Sequence, residues 1–310
     1  THYDVVPPGE GWSFDPFKPF VKDGKVYGRG ASDDKSCIAA ALTAFKEIIE
    51  EKLEPKIYPV LIVSGGEETG ESEEFYKSIT GDIGVVLDSG PEGLSIGASG
   101  VARVTVLVKG KQVHSAYPFK GKNAIYLAAK IVSFVEKLGK ELEKNIVSKY
   151  AATEHYEKLP ARANVTIIES GIAPNVIPGE CKLIIDRRTI PEEKAEEAAL
   201  DLKRRIEQFA KENNIEVEID AKGLMDAWVT TDEKVIEKFR QILREVTGKE
   251  PKIIVELGGT DGVHLIDRMP VIQFGALRGD NNFHGLNEFV YIDDLTLTKE
   301  FVKKTILTAL

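Results

Sequence analysis

Residues 60–88 read VLIVSGGEETGESEEFYKSITGDIGVVLD, and this stretch decides the fold class. It holds two short continuous apolar runs, Val60-Leu61-Ile62-Val63 and Ile83-Gly84-Val85-Val86-Leu87. Runs of that kind suit strands buried on both faces, as in a parallel sheet covered by helices. Acids follow both runs: Glu67 and Glu68 after the first, Asp88 directly after the second. In open α/β sheets ligands bind outside the carboxyl ends of the strands, so three acids at two strand ends point at one crevice.

Working outward, Ser36 to Lys52 has the spacing of an amphipathic helix, with Ile38, Ala41, Leu42, Phe45, Ile48 and Ile49 recurring at helical intervals. Beyond Asp88 the pattern changes. Arg103 to Val108 alternates as a half-buried strand, Asn123 to Leu138 is helical, and Asn164 to Ile168 and Cys181 to Asp186 are strands. Glu192 to Glu212 is a long charged helix and Ile215 to Ile219 a strand. The order β-α-β-β-α-β is that of a small α+β domain of the ferredoxin-like, split-βαβ kind. After about residue 222 βα alternation resumes: helix Val235 to Val246, strands Ile253 to Val255 and Val271 to Phe274, and a last helix from Leu295 with Asp293 or Asp294 as its cap. The expectation is an α/β chain in which one domain, residues 1–97 and 223–310 around a mostly parallel sheet, accepts an inserted α+β domain over 98–222.

Composition narrows the function. At 310 residues the chain can bury two cores. The net charge is −9 with basic residues scattered among acids, which argues against a nucleic-acid groove. No apolar run approaches the ~20 residues that span a bilayer and no signal-peptide pattern opens the chain, so no membrane partner is expected and the cytoplasm is the default location. Cys37 and Cys181 lack a CxxC pattern and read as small buried hydrophobes. Abundant Lys and Glu with few Gln and Met fit a thermophilic source.

The chemistry lies in a scattered set of histidines and carboxylates, a donor set that suits zinc and cobalt. His2 and Asp4 are two apart, so in extended chain they share a face and the acid can orient the imidazole. Asp33 and Asp34 sit in Gly28-Arg29-Gly30-Ala31-Ser32-Asp33-Asp34-Lys35, a loop whose glycines and small residues allow close backbone approach. Glu67 and Glu68 are adjacent like charges, whose placement in a crevice calls for a cation. Asp88 is an acid ending an apolar strand, costly to bury unless paired or metal-bound. His284 lies in Asn281-Asn282-Phe283-His284-Gly285. Taken singly, each has a plainer reading: Ser32 or Asp33 as a helix cap, Glu67-Glu68 as a solvated loop, His284 as an exposed loop residue.

In this order the motifs His2-Tyr3-Asp4-Val5-Val6-Pro7, Gly28 to Lys35, Glu67-Glu68-Thr69-Gly70 and the late His284 resemble the M20 metallopeptidase and deacylase family, and the resemblance runs along the whole chain. That family includes acetylornithine deacetylase, succinyl-diaminopimelate desuccinylase, carboxypeptidase G and dipeptidases. The resemblance implies two divalent metals, with His2 and Asp88 on one, Glu68 and His284 on the other, and Asp33 bridging. Asp4 becomes the orienting partner of His2, and Glu67 the general base. The inserted domain resembles the family's lid, which usually dimerises. Within it, His114 of Gly110-Lys111-Gln112-Val113-His114-Ser115-Ala116-Tyr117-Pro118 resembles the residue that reaches a partner subunit's site. Asn175 and Arg188 resemble lid residues that hold the substrate's carboxylate or carbonyl. The plainer reading of Arg187 and Arg188 is an ion pair with Asp186 or Glu192. Gly259 and Thr260 fall in a loop near the family's substrate, and His264 reads as structural.

The implied reaction is metal-assisted hydrolysis of an amide beside a free carboxylate, on an N-acyl amino acid or a short peptide. A deacylase of the acetylornithine or acetyl-lysine kind is preferred over a dipeptidase or carboxypeptidase. The rival from another class is a catalytically silent metal- or ligand-binding homodimer. Two departures from the family carry weight. Its members have a further block before the HxD motif, whereas this sequence opens at Thr1-His2-Tyr3-Asp4, so His2 is expected at a loose end. Succinyl-specific relatives tend to have arginines just before the first lid strand, whereas Ile96-Gly97-Ala98-Ser99-Gly100 is small and neutral, which disfavours a succinyl substrate.

Overall fold

The computed structural model describes residues 1–153 and 155–310. The chain divides into two compact units, Thr1–Gly97 with Val229–Glu256 and Thr260–Leu310, and Ala98–Trp228 with Leu257–Gly259.

In the first unit Gly84–Val86 runs parallel to Val271–Gln273, which meets Gly93–Ala98 antiparallel at Gln273 and Ser95. Lys252–Glu256 pairs with Gly93–Ala98. Buried Gln273 donates to Ser95 Oγ and to the Gly97 carbonyl, both at 2.9 Å, which satisfies a polar group inside the sheet. The helix Lys35–Glu50 packs against the C-terminal helix Ile292–Ile306. Its buried stripe is Cys37, Ala40, Ala41, Ala44 and Ile48. Two residues expected on that stripe, Leu42 and Ile49, are 54% and 74% exposed. Small side chains let the two helices approach closely, and the stripe turns to present them. Asp293 and Asp294 lie inside the first turn of the last helix and neither caps it: the N-cap is Tyr291, and Asp294 instead accepts from Arg278 at 2.5 and 2.7 Å.

The expected strand Val60–Val63 does not form. Tyr58, Val60 and Val63 are exposed, and a strand exists only through ladder partners, which this run lacks among the described residues. The one bridge nearby joins His2 to Ser64, with Tyr3 N–H donating to the Ser64 carbonyl at 2.9 Å and Ser64 N–H to the Thr1 carbonyl at 3.0 Å. His2 is therefore not at a loose end; it is 1% exposed. A small antiparallel sheet that the sequence reading left out, Phe20–Lys22, Lys25–Tyr27 and Phe289–Tyr291, brackets the loops on either side of the site.

The second unit is built on a four-stranded antiparallel sheet in the order Glu216–Met225, Gly100–Lys109, Glu180–Thr189, Arg162–Ser170. Numbered along the chain this is 4-1-3-2, the arrangement of a β-α-β-β-α-β unit. One face alternates Ala102, Val104, Val106 and Val108 with Leu183 and Ile185, all buried. The helices Ala124–Asn145 and Ala195–Glu212 pack against the strands, and Phe134 stacks on Phe209 at 4.4 Å. Asn123 caps the first helix, its Oδ1 accepting from Ile125 N–H at 2.9 Å. The strand Glu216–Met225 keeps its pairing with Gly100–Lys109 as far as Met225 opposite Val101, which carries this unit past residue 222. The fold is thus two-domain α/β with an α+β insertion.

Candidate metal centre

Four pieces of the first unit meet at one corner: the chain start, the loop before Lys35–Glu50, the Gly65–Gly70 loop, and the 281–288 loop. Asp33 stands at the middle. Its Oδ1 lies 3.0 Å from His2 Nε2 and its Oδ2 lies 3.0 Å from His284 Nε2. The same His284 nitrogen is 3.0 Å from Glu68 Oε2. Two groups result, His2–Asp33–Asp88 and Asp33–Glu68–His284, each with ligand atoms within 4.8 Å of one another. Asp33 belongs to both, one oxygen to each histidine. Two ligands at about 2.0–2.1 Å from one tetrahedral ion stand about 3.3 Å apart, so the 3.0 Å contacts suit shared coordination.

The electrostatics call for cations. Burial alone would lower the His2 pKa, but the hydrogen bond to Asp33 and the charges of Asp88, Asp34 and Asp33 raise it to about 10. Hydrogen bonds to Asp33 and Glu68 raise His284 to about 10 as well. Burial opposes ionisation of Asp33, yet the two imidazoles hold it well below the usual carboxylate range. Asp88 is pushed up by burial and by Asp33 and Asp34, and Glu67 is pushed up to about 8 by burial and by Asp261. Glu68 Oε1 is buried and accepts no hydrogen bond. Surplus buried carboxylate oxygens beside two imidazoles are what a pair of divalent ions would satisfy, so the residues present fit the group.

The surrounding contacts hold the candidate ligands in place. His2 Nδ1 faces the Asp4 carbonyl at 3.2 Å and the Asp4 carboxylate at 3.4 Å, and Asp4 Oδ2 accepts the Glu68 N–H at 3.1 Å. One carboxylate thus ties a ligand of the first group to a ligand of the second. Asp34 joins neither metal group: buried, it accepts from the backbone N–H of His2 at 3.2 Å and from the Thr1 hydroxyl. Neither Ser32 nor Asp33 caps the helix; Asp34 occupies that position without a side-chain cap bond. Glu67, His2, Asp88 and Asp261 line one cavity, and Glu67 joins neither metal group among the described residues.

Two further residues were not singled out from sequence. Glu288 is fully buried and its Oε1 accepts from Ser32 N–H at 2.8 Å and Asp33 N–H at 3.0 Å. Its Oε2 accepts from Gly30 N–H at 2.9 Å and Arg29 Nη1 at 2.6 Å. Arg29 Nη2 donates to the Gly285 carbonyl at 2.8 Å, beside His284, which sits at φ 58° in the left-handed region. The pair holds the loops of Asp33 and His284 together. A glutamate four residues after a candidate histidine and an arginine inside the Gly loop were the available signals.

The remaining candidates belong to neither metal group. His114 is exposed on a two-strand ribbon, Val113–His114 against Val176–Ile177, and Asn175 adjoins it, its carbonyl accepting Ser115 N–H at 2.9 Å. Both belong to the second unit, as do Arg188 and Gly259, whereas Thr260 is buried in the first. Arg188 Nε donates to Asp186 Oδ1 at 2.8 Å, and Arg187 pairs with Glu193. His264 stacks on Tyr76, and both cysteines are buried thiols. No helix is long and apolar enough to cross a membrane among the described residues.

The chain is similar to known proteins in sequence and in fold. The chain is 28% identical over 324 residues to succinyl-diaminopimelate desuccinylase of Wolbachia pipientis wMel, covering 97% of this chain and 77% of that one. Its fold matches the dipeptidase Dug1p of Saccharomyces cerevisiae, TM-score 0.81 at 18% identity, over 99% of this chain and 78% of that one. It also matches the M20 family metallo-carboxypeptidase Sso-CP2 of Sulfolobus solfataricus, TM-score 0.74 at 21% identity, over 98% of this chain and 83% of that one. A profile of peptidase family M20/M25/M40 covers residues 1–308, and with two histidine–carboxylate groups sharing Asp33 the chain belongs to that family of hydrolases.

Proposed function

We propose that this chain hydrolyses an amide bond beside a free carboxylate with two divalent metal ions, zinc first and cobalt second, and that its substrates are N-acyl amino acids. The observation that carries the reading is Asp33, whose two oxygens each face a different histidine at 3.0 Å. His2 and Asp88 would hold one ion, Glu68 and His284 the other, and Asp33 both. When bound, such ions polarise the amide carbonyl and acidify water. The chain's own residues do the rest. Glu67, beside a ligand but in neither group, takes the proton of the attacking water and passes it to the leaving nitrogen. Asp4 keeps His2 oriented. Ala116 N–H donates to His114 Nδ1 at 3.1 Å, so the neutral ring carries its proton on Nε2, available to an oxyanion. In this reading a second copy of the chain presents that ring, the dimer forming through the second unit. Asn175 and Arg188 hold the substrate's carboxylate, and Gly259 and Thr260 line its path. The enzyme works in the cytoplasm on a small molecule.

The desuccinylase relative is named for removing an acyl group from an amino acid, which favours deacylase over dipeptidase or carboxypeptidase. Metal analysis with a panel of acetylated amino acids and dipeptides tests this. Two metal equivalents and release of the free amino acid from acetylated substrates are expected. Turnover of dipeptides alone selects the peptidase reading, and two metals without any turnover select the silent homodimer. Asp33→Ala should weaken both metal equivalents, whereas Asp88→Ala should weaken chiefly one; equal loss in both variants would overturn the bridging role.

A further inference from the structure

The loop that carries Glu67 and Glu68 is a closed turn. Gly70 N–H donates to the Glu67 carbonyl at 3.0 Å and Glu71 N–H to the Gly66 carbonyl at 2.7 Å. Gly66 and Gly70, at φ 86° and 74°, take the left-handed backbone that this turn requires. The Glu67 side chain makes no hydrogen bond or ion pair among the described residues. Its place is therefore set by the turn, and the turn's place by the residues that flank it, Ser64 and Ser72.

Both serines are buried, and both lead to one buried acid of the same unit, Asp261. Ser72 Oγ donates to Asp261 Oδ1 at 2.7 Å. Ser72 is the N-cap of the one-turn helix Glu73–Tyr76, where a serine ordinarily accepts from the helix backbone, yet it makes no such bond. Its hydroxyl is turned to Asp261 instead. Ser64 Oγ accepts from the Tyr76 hydroxyl at 3.0 Å. Tyr76 is buried at the end of that helix, and burial, then the charge of Asp261, push its phenol up. His264 stacks on the Tyr76 ring with its Nε2 3.8 Å from Asp261 Oδ1. Arg268 Nη2 donates to the Tyr76 carbonyl at 2.6 Å and the His264 carbonyl at 2.8 Å, which ties the helix to the 3-10 turn Asp261–His264. Hydrogen bonds to a carboxylate are about twice as strong as neutral ones, so Asp261 is a firm anchor for this clasp.

We propose that Asp261 is a positioning residue for the base: through Ser72 and Tyr76 it holds both ends of the turn that carries Glu67. The proposal rests on the hydrolase reading above and deepens it. Asp261 belongs to neither metal group and lines one cavity with Glu67. A base that must reach one water at hydrogen-bond distance tolerates little displacement, whereas substrate affinity does not depend on that reach. Glu68 has a second hold, its N–H donating to Asp4 Oδ2 at 3.1 Å, so loosening the clasp should leave both metals in place.

The test compares Asp261→Ala, Ser72→Ala, the double variant and Asp261→Asn with the parent. Each single alanine variant should lower kcat about tenfold, with KM and two metal equivalents unchanged. The double variant should lose no more than Asp261→Ala alone, because Ser72 acts through that acid. Asp261→Asn should recover most of the activity, since its side-chain carbonyl can still accept the Ser72 hydroxyl proton. Losses that multiply in the double variant, a fall in metal content, or a lowered Tm with kcat intact overturn the proposal. Amide hydrogen exchange over residues 65–71 separates this failure from that of the hydrolase reading. Suppose the parent turns over no amide, yet exchange in the turn speeds up about tenfold in both alanine variants while the helix Ala195–Glu212 stays protected. The clasp then stands and the reaction is lost. Equal exchange in parent and variants overturns the clasp.

Discussion

The two units hold opposite surpluses of charge. In the first, Asp4, Asp33, Asp34, Glu67, Glu68 and Asp88 gather around two histidines. In the second, three arginines and a lysine gather around Asp186. The first cluster is organised: each imidazole lies 3.0 Å from an Asp33 oxygen, and Glu288 holds the loop that carries Asp33. The second is loose, with one ion pair and an arginine resting on a hydroxyl and a carbonyl. A centre for divalent ions needs rigid oxygen and nitrogen donors, whereas a sheet face of long side chains tolerates adaptable cations. The difference predicts chemistry in the first unit and selection in the second.

The sharpest way to break that division is Glu67→Gln. It should lower turnover by about 10²–10⁴ while both metals remain, read by metal analysis of the purified variant. Loss of one metal equivalent would make Glu67 a ligand. Next is His114→Ala, expected to lower kcat about 10²–10³ with KM and metal content steady. Mixed with Glu67→Gln subunits after verified exchange, it should regain activity, because one site of the heterodimer keeps both groups. Without recovery, His114 acts within its own chain or has no part in the reaction.

A smaller effect sharpens the contrast in rigidity. Glu288→Gln puts an amide NH2 against backbone donors whichever way it turns. Metal affinity should fall about 10–100-fold in equilibrium dialysis with the far-UV spectrum intact. Unchanged affinity would show that the loop keeps its form without the carboxylate. The smallest effect is Ile49→Ser, within about 0.5 kcal/mol in thermal unfolding, since that side chain faces solvent.

Local pattern made much of this legible. The split-βαβ unit could be read because each strand alternates and each helix is long, as in Gly100–Lys109 and Ala195–Glu212. The Asp33, Glu67-Glu68 and Asp88 positions stood out as acids beside apolar runs or glycines. Strand Val60–Val63 failed because an apolar run signals burial and cannot supply its own ladder partner. The expected helix stripe held Ala41 and Ile48 but also Leu42 and Ile49, whose large apolar side chains face solvent because packing favoured the small Cys37, Ala40 and Ala44. The hairpin Phe20–Tyr27 did leave a signal, Asp23-Gly24 with φ of 50° and 73° between short apolar runs. Arg29 with Glu288 and Arg162 with Arg188 are partners far apart in sequence, and only the fold brings either pair together.

The Glu288 carboxylate has consequences for anyone transplanting this centre. By sequence it looks like a spare ligand, an acid four places from His284. Both its oxygens are occupied by N–H donors from Arg29, Gly30, Ser32 and Asp33, leaving it no lone pair to lend an ion. A graft that copied only the histidines and the acids of the two candidate metal groups into a new scaffold would reproduce the composition and lose the shape. The minimal portable unit includes Arg29 and Glu288, two residues outside both candidate metal groups.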